Sequence, residues 1–130
     1  TEIEFITTSF DKSDGGNIDV RVRFNEPVVV STSGGTPRVS ITNGNQGSGS
    51  GRGPHLANYL SGTGTNELIF RCTIAAANAA TNAGDILVIG ANATALNSGT
   101  IKDVATSTTN ATITNSSAIG TAAGSITVAA

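Results

Sequence analysis

The sequence has few of the side chains on which enzyme and metal sites depend. It has no Trp or Met, one His, one Cys and one Tyr, and only 12% of its 130 residues are charged. A single Cys cannot form a disulfide within the chain, and Zn²⁺ sites usually need several Cys or His ligands. A hydrolytic triad needs a His near its nucleophile, and His55, the only candidate, is predicted at the surface or a sheet edge. The sequence therefore predicts no catalytic residue, cofactor or metal.

Net charge and long apolar runs are also limited. The net charge is −2 at pH 7, so the chain has no general attraction to nucleic acid or anionic lipid. No apolar run approaches the roughly 20 residues that span a bilayer, and no signal-peptide pattern is present. We therefore expect neither a nucleic-acid nor a membrane partner. The start at Thr1 fits an intact small protein that lost its initiator Met, or a domain cut from a longer chain.

Strict alternation of apolar and polar residues is the main pattern that the sequence does contain. The clearest runs span 18–24 and 67–74. A period of two is typical of a strand with one face in the core and the other in water. The residues predicted to face the core are Ile18, Val20, Val22, Phe24, Leu68, Phe70, Cys72 and Ile74.

Turn-forming residues divide the rest of the chain into short segments. Gly, Asn and Ser clusters separate about seven to nine candidate strands, and no amphipathic helix is long enough to cover a sheet. This pattern predicts one all-β domain over 1–130, an antiparallel two-sheet sandwich. Residues 43–54 are Gly-rich and bury too little apolar surface to become ordered, so we expect a mobile loop that tolerates shortening. Residues 75–83 are expected to form a crossover loop.

Carboxylates raise the question of a calcium site. Asp11 and Asp14 are close in sequence, and Asp85 and Asp103 lie in later turns. Calcium sites need clustered oxygen ligands, and no Asp-x-Asp pattern is present. The sequence therefore does not favour calcium binding.

Partner contacts are expected from the N-terminal segment and from two arginines on one face of the strongest strand. The candidate residues are Thr1, Glu2, Ile3, Glu4, Phe5, Arg21 and Arg23. The simpler interpretation of the two arginines is a solvated outer face. The alternative is a docking surface for an acidic partner, which Arg38 would extend.

Four separated blocks keep an order and spacing that resemble a known family. They span 20–30, 33–41, 57–71 and 95–103, and read VRVRFNEPVVV, SGGTPRVSI, ANYLSGTGTNELIFR and ALNSGTIKD. Over about residues 16–105 the chain resembles the bacterial immunoglobulin-like (Ig-like, cadherin-like) repeat of large surface adhesins and biofilm proteins. Similar modules occur in bacteriophage virion proteins. The chain departs from the pattern in its long loop 43–54, in the Ala-rich stretch 75–83 and in the extended tail after Asp103.

The resemblance implies an Ig-like sandwich without enzyme activity, in one of two settings. The first is a capsid decoration (cement) protein on the virion surface, bound to the major capsid protein or to copies of itself. The extended tail, which closes with its own apparent strand near 126–128, favours this setting. The second is a repeat of a secreted or cell-surface adhesin. A glycan-binding domain fits less well, because such domains usually expose aromatic residues and Tyr59 is the only Tyr.

Overall fold

Strands form all the regular structure in the described part of the computed structural model, which comprises residues 2–11, 13–43, 55–76, 86–89, 92–105, 109–113 and 125–129. The strands are β1 (Glu2–Phe5), β2 (Phe10–Asp11), β3 (Gly16–Arg23), β4 (Val28–Ser31), β5 (Arg38–Asn43), β6 (His55–Ser61), β7 (Glu67–Ile74), β8 (Ile86–Val88), β9 (Thr94–Ala95), β10 (Thr100–Asp103) and β11 (Ser125–Ala129). None of these residues belongs to a helix that could cross a membrane. The all-β prediction is confirmed. The eleven described strands exceed the predicted seven to nine, because two of them, β2 and β9, have only two residues each.

Nine of the strands form one curled sheet. Its order is β1-β3-β7-β6-β5-β8-β11-β2, and β9 also pairs with β5. Strands β4 and β10 form a separate two-stranded ribbon. The described pairings are antiparallel except for β2 with β11, which is parallel. Curled antiparallel sheets around one core are consistent with the predicted β-sandwich.

The two strands with the clearest alternation lie side by side at the centre of the core. Strand β3 pairs with β7 so that Val20 lies opposite Phe70 and Val22 opposite Leu68. These four side chains are fully buried, because the shared register points one face of both strands inward. All eight predicted core residues are buried, so that prediction is confirmed.

The other half of the curled sheet covers the opposite side of this core. Val39 and Ile41 come from β5, Leu87 from β8, and Ile126 and Val128 from β11. All five belong to the same buried cluster as the side chains of β3 and β7. The strand predicted near 126–128 is therefore present as β11 and completes the core.

The first residue of β1 and the last residue of β11 lie at opposite ends of the sandwich. Glu2 at the start of β1 lies opposite Arg23, the last residue of β3. Ala129 at the end of β11 lies beside Asp11, which accepts a hydrogen bond from the Gly15 amide next to the first residue of β3. The eight residues of β3 therefore separate the two ends by roughly 23 Å, at about 3.3 Å per residue.

His55 corrects the expectation of a surface or edge histidine. It is 7% exposed, and its strand β6 lies between β5 and β7. Its partner on β5 is the fully buried Ile41. Pro54, directly before the histidine, suggested that a strand begins there at the surface or at a sheet edge. In the fold, β5 and β7 flank the strand of His55 on both sides.

Two loop predictions fall largely outside the described residues. The mobile loop predicted over 43–54 includes only Asn43 of the described chain, and the crossover predicted over 75–83 includes only Ala75 and Ala76. Both stay predictions.

Thr94 gives a stability prediction. Its side-chain oxygen Oγ1 is buried and has no hydrogen-bond partner among the described residues. A buried hydroxyl without a partner has lost its water contacts, so Thr94→Val should raise the free energy of unfolding by about 1 kcal/mol. As a control, Thr42→Val removes a hydroxyl that donates to the Val88 carbonyl oxygen at 3.0 Å, and should not stabilise. Urea unfolding of both variants checks this, and a destabilised Thr94→Val would contradict it.

Candidate functional site

The outer face of β1, β3 and β7 carries a band of charged side chains, the charged face. Outward positions alternate with core positions along each strand, which places all of them on one side of the sheet. Four of the seven are acidic and three are basic, so the face has no excess of positive charge. Its members are Glu2, Glu4, Asp19, Arg21, Arg23, Glu67 and Arg71.

Arg21 and Arg23 are paired with carboxylates on both neighbouring strands. Arg21 forms an ion pair with Glu4 on β1, and its Nε donates to Glu4 Oε1 at 2.8 Å. Arg23 Nε donates to Glu67 Oε1 on β7 at 3.0 Å, and Arg23 Nη1 lies 3.6 Å from Glu2 Oε2. The hydrogen bond from Arg21 to Glu4 raises the pKa of the Arg21 guanidinium. The arginines therefore hold three strands together and offer little unpaired charge to an acidic partner.

Asp19 and Arg71 form a second, bidentate pair on this face. Arg71 Nε donates to Asp19 Oδ1 at 2.8 Å, and Arg71 Nη2 donates to Asp19 Oδ2 at 3.0 Å. The two residues lie directly opposite each other on β7 and β3. The hydrogen bonds from Arg71 lower the pKa of the Asp19 carboxyl below its usual 3.8, more than burial raises it.

The Asp19 pair predicts a small acid-dependent loss of stability. A carboxyl with a lowered pKa stabilises the fold above its unfolded value of 3.8, and this contribution disappears as pH falls through the lower folded value. Asp19→Asn should therefore be less stable than the parent at pH 7, and the difference should shrink below pH 3.8. Asp14→Asn, in an exposed turn, controls for the change in net charge. Urea midpoints between pH 2 and 7 test this, and a constant difference would contradict it.

The predicted contact residues do not all present their side chains to solvent. Ile3 and Phe5 face the core, so only the backbone of β1 could contact a partner at these positions. Glu2 and Glu4 are on the charged face, and Thr1 lies outside the described residues. A role for these residues in partner contact stays a prediction.

Arg38 does not extend the arginine pair. It lies on β5, three strands away from β3 across β7 and β6, or roughly 14 Å at the usual strand spacing. Sequence alternation placed these arginines on outward faces but carried no information about which strands are neighbours.

A polar cleft lies where the turn after β3 meets the end of β10. Its volume is about 430 Å³, and residues 24–26, 28, 103 and 109–112 line it. The Val104 amide donates to the Pro27 carbonyl oxygen at 3.1 Å, and the Asp103 amide donates to the Thr109 carbonyl oxygen at 2.9 Å. Three chain segments thus meet around this cleft.

Two carboxyl groups meet in this cleft. Glu26 and Asp103 both line the cleft, and the neighbouring Asp103 carboxyl raises the pKa of the Glu26 carboxyl. The two residues are 77 positions apart in the sequence, Glu26 in the block 20–30 and Asp103 at the end of the block 95–103. Sequence reasoning considered Asp103 only for calcium and did not consider Glu26, because the pairing of β4 with β10 creates the juxtaposition.

The acidic residues considered for calcium do not converge within the described chain. Asp11 and Asp14 flank the turn at the beginning of β3, whereas Asp103 pairs with Val28 near its other end. Asp85 lies outside the described residues. No group of three or more His, Cys, Asp or Glu residues among those described could hold a metal ion.

Comparison with known proteins identified no relative of this chain. No family model matches the chain, and no curated protein or solved structure matches it significantly. The resemblance to the bacterial Ig-like repeat therefore stays a prediction that depends on the four sequence blocks.

Proposed function

We propose that the chain is a non-catalytic Ig-like module that acts as a bacteriophage capsid decoration protein. It would lie on the outer surface of the virion and bind the major capsid protein or neighbouring copies of itself. The observation that carries the proposal is the strand order of the sheet, taken with the sequence resemblance to Ig-like repeats.

The strand order fits an Ig-like arrangement of the constant type. That arrangement has strands A, B, E and D in one sheet and C, F and G in the other. With β1, β3, β5, β6, β7, β8 and β11 taken as A to G, the order β1-β3-β7-β6 corresponds to A-B-E-D. The order β5-β8-β11 corresponds to C-F-G, and β4 and β10 form an additional ribbon. Unlike two separate Ig sheets, these halves are joined into one curled sheet by the pairing of β6 with β5.

The chemistry of the reactive groups supports a structural role. Burial raises the pKa of the Cys72 thiol to about 11, so at pH 7 this group is a protonated, weak nucleophile.

The anchoring of β11 on both sides supports a rigid capsid module. Strand β11 pairs with β8 on one side and β2 on the other, so it binds the N-terminal segment to the second half of the sheet. A protein that binds an assembled shell better than its free subunits stabilises the shell by mass action. A rigid sandwich with both terminal strands anchored suits this role, because little conformational entropy is lost on binding.

Cosedimentation with undecorated capsids tests the proposal. We expect saturable binding at a fixed number of copies per shell and higher thermal resistance of the coated shell. A double variant Arg21→Gln, Arg23→Gln removes the ion pairs that join β3 to β1 and β7, so it should bind more weakly if the predicted contact segment β1 touches the shell. Arg71→Gln, on the same face but in the separate Asp19 pair, is the matched control. Absence of saturable binding by the parent protein would contradict the proposal.

A repeat of a secreted or cell-surface adhesin is the second candidate, and one observation favours it. The chain enters at one end of the sandwich and leaves at the other, about one strand length away. Modules with this geometry can follow one another in a line without turning back. A reading frame that encodes many such modules behind a secretion signal would support the adhesin, whereas a short frame beside capsid genes would support decoration.

A further inference from the structure

We propose that the outer face of the β4–β10 ribbon docks onto an acidic, partly apolar patch of the capsid shell. The inference rests on the capsid role proposed above and adds to it a contact surface and the chemistry of the partner. The ribbon face comprises Pro27, Val29, Lys102 and Val104.

The register of the ribbon places these four residues on one side of it. Lys102 lies directly opposite Val29, whereas its chain neighbour Ile101 is buried in the core. Side chains of directly opposed strand residues are roughly 4.5–5.5 Å apart. Val104 lies two positions after Lys102 and so continues the alternation, and its amide donates to the Pro27 carbonyl oxygen at 3.1 Å. The ribbon therefore packs on the core with one face and presents the other to solvent.

The ribbon face exposes apolar side chains that lie next to each other. Val29 is 42% exposed and Val104 is 45% exposed, and Pro27 between them is also exposed. Single exposed apolar residues are common on protein surfaces, whereas adjoining ones mark contact sites. Burial of these side chains against a partner would remove apolar surface from water, as in the apolar centre of a protein interface.

Lys102 gives this patch a positive charge that the fold leaves uncompensated. It is half-buried and has no ion pair with any described residue. The adjacent Asp103 points to the opposite side of the ribbon and lines the polar cleft. The arginines of the charged face, in contrast, are already paired with carboxylates. Charge complementarity therefore predicts a partner that places a carboxylate over Lys102 and aliphatic groups over the valines.

Arg38 is the other described Lys or Arg without an ion pair, and its surroundings are different. It lies opposite Asn58 on β6 and Ala95 on β9. Neither neighbour is a large apolar side chain. Arg38 therefore has the charge of Lys102 without the adjoining apolar surface, which makes it a suitable control.

Both edges of the ribbon are already hydrogen-bonded within the chain. On the β4 side, the Val28 amide donates to the Thr65 carbonyl oxygen at 2.9 Å. On the β10 side, the Ala111 amide donates to the Ile101 carbonyl oxygen at 2.9 Å. A partner strand would have to displace these bonds in order to pair with the ribbon. The partner therefore contacts the side chains of the ribbon face.

Carbodiimide cross-linking on undecorated capsids tests the contact directly. The reagent joins an ammonium group to a carboxylate that touches it, by an amide bond. The sequence contains two lysines, Lys12 and Lys102, so peptide mass spectrometry identifies which one reacted. We expect Lys102 joined to an Asp or Glu of the capsid protein. Lys102→Arg keeps the charge and should bind like the parent, but it should lose this cross-link because a guanidinium does not couple.

Affinity for the shells gives an independent measurement. Lys102→Glu should weaken binding by roughly tenfold or more, because it replaces attraction by repulsion. The double variant Val29→Thr, Val104→Thr should weaken it by roughly three- to tenfold, because each change replaces a buried methyl group by a hydroxyl. Arg38→Glu and Ile86→Thr make the same kinds of change on β5 and β8, and should alter affinity by less than about twofold. Urea unfolding of each variant verifies that it folds.

The outcomes separate this inference from the capsid role. Shell binding by Lys102→Glu equal to that of the parent, or cross-links from Lys12 alone, would overturn the ribbon face and leave the capsid role standing. A Lys102 cross-link to a second copy of the chain would overturn the choice of partner. Absence of binding by the parent protein would overturn the capsid role and this inference with it.

Discussion

Replacement of Phe70 by Ala should lower the free energy of unfolding by about 3–5 kcal/mol, the usual cost of truncating a buried aromatic residue. Phe70 is fully buried at the centre of β7, opposite Val20 on β3. Its ring packs edge to face against Tyr59 on β6, with ring centroids 6.0 Å apart and an interplanar angle of 76°. The variant therefore loses apolar burial, leaves a cavity and loses an aromatic contact worth roughly 0.5–1.5 kcal/mol.

Leu60→Ala is the matched control for Phe70→Ala. Leu60 lies on the adjacent strand β6 but is 47% exposed, so its truncation should change stability by less than about 0.5–1 kcal/mol. Urea unfolding at one pH compares both variants with the parent. A loss below about 1 kcal/mol for Phe70→Ala, or equal losses for the two variants, would mean that Phe70 is not a central core residue.

Replacement of Gly62 by Ala is expected to be the most disruptive single methyl addition in the turn between β6 and β7. Gly62 has a φ of +114°, which side-chain-bearing residues rarely adopt. A Cβ there would lie 2.2 Å from the Glu67 carbonyl oxygen and 3.0 Å from Leu68 Cα, both backbone atoms that cannot rotate away. Strain and overpacking together should cost roughly 3–5 kcal/mol.

Gly64→Ala separates the steric clash from the backbone strain. Gly64 is in the same turn with a φ of +89°, but a Cβ there would meet nothing within 4 Å. This control should therefore lose only the roughly 1–2 kcal/mol of left-handed strain. Thermal and urea unfolding of the two variants measure the difference. Equal losses would show that the close approach of the Glu67 carbonyl to Gly62 does not exist in solution.

Local periodicity explains why much of the core could be predicted from the sequence. In β3 and β7 each buried residue alternates with an outward polar or half-buried one, so burial depends on position along the strand alone. The prediction that Gly-containing clusters separate the strands also agrees with the turn between β6 and β7, where Gly62 and Gly64 have positive φ values. These features are encoded within a few consecutive residues.

Features that depend on strand order could not be predicted in the same way. Arg21 was correctly predicted to face outward, but its pairing with Glu4 depends on β1 lying beside β3. His55 was expected at a surface, yet β5 and β7 enclose its strand. The Glu26–Asp103 pair requires β10 to fold back beside β4. Each of these contacts joins distant residues, and one sequence contains no direct signal for them.

Electron microscopy of undecorated capsids mixed with the purified protein tests the proposed function most directly. The expected result is one sandwich-sized density at each symmetry-equivalent site on the outer surface, with a copy number that saturates at a multiple of the shell symmetry. Symmetry-averaged density should also show which face of the sandwich contacts the shell. Bare shells, or protein scattered without regular sites, at concentrations that saturate solution binding would contradict a role in capsid decoration.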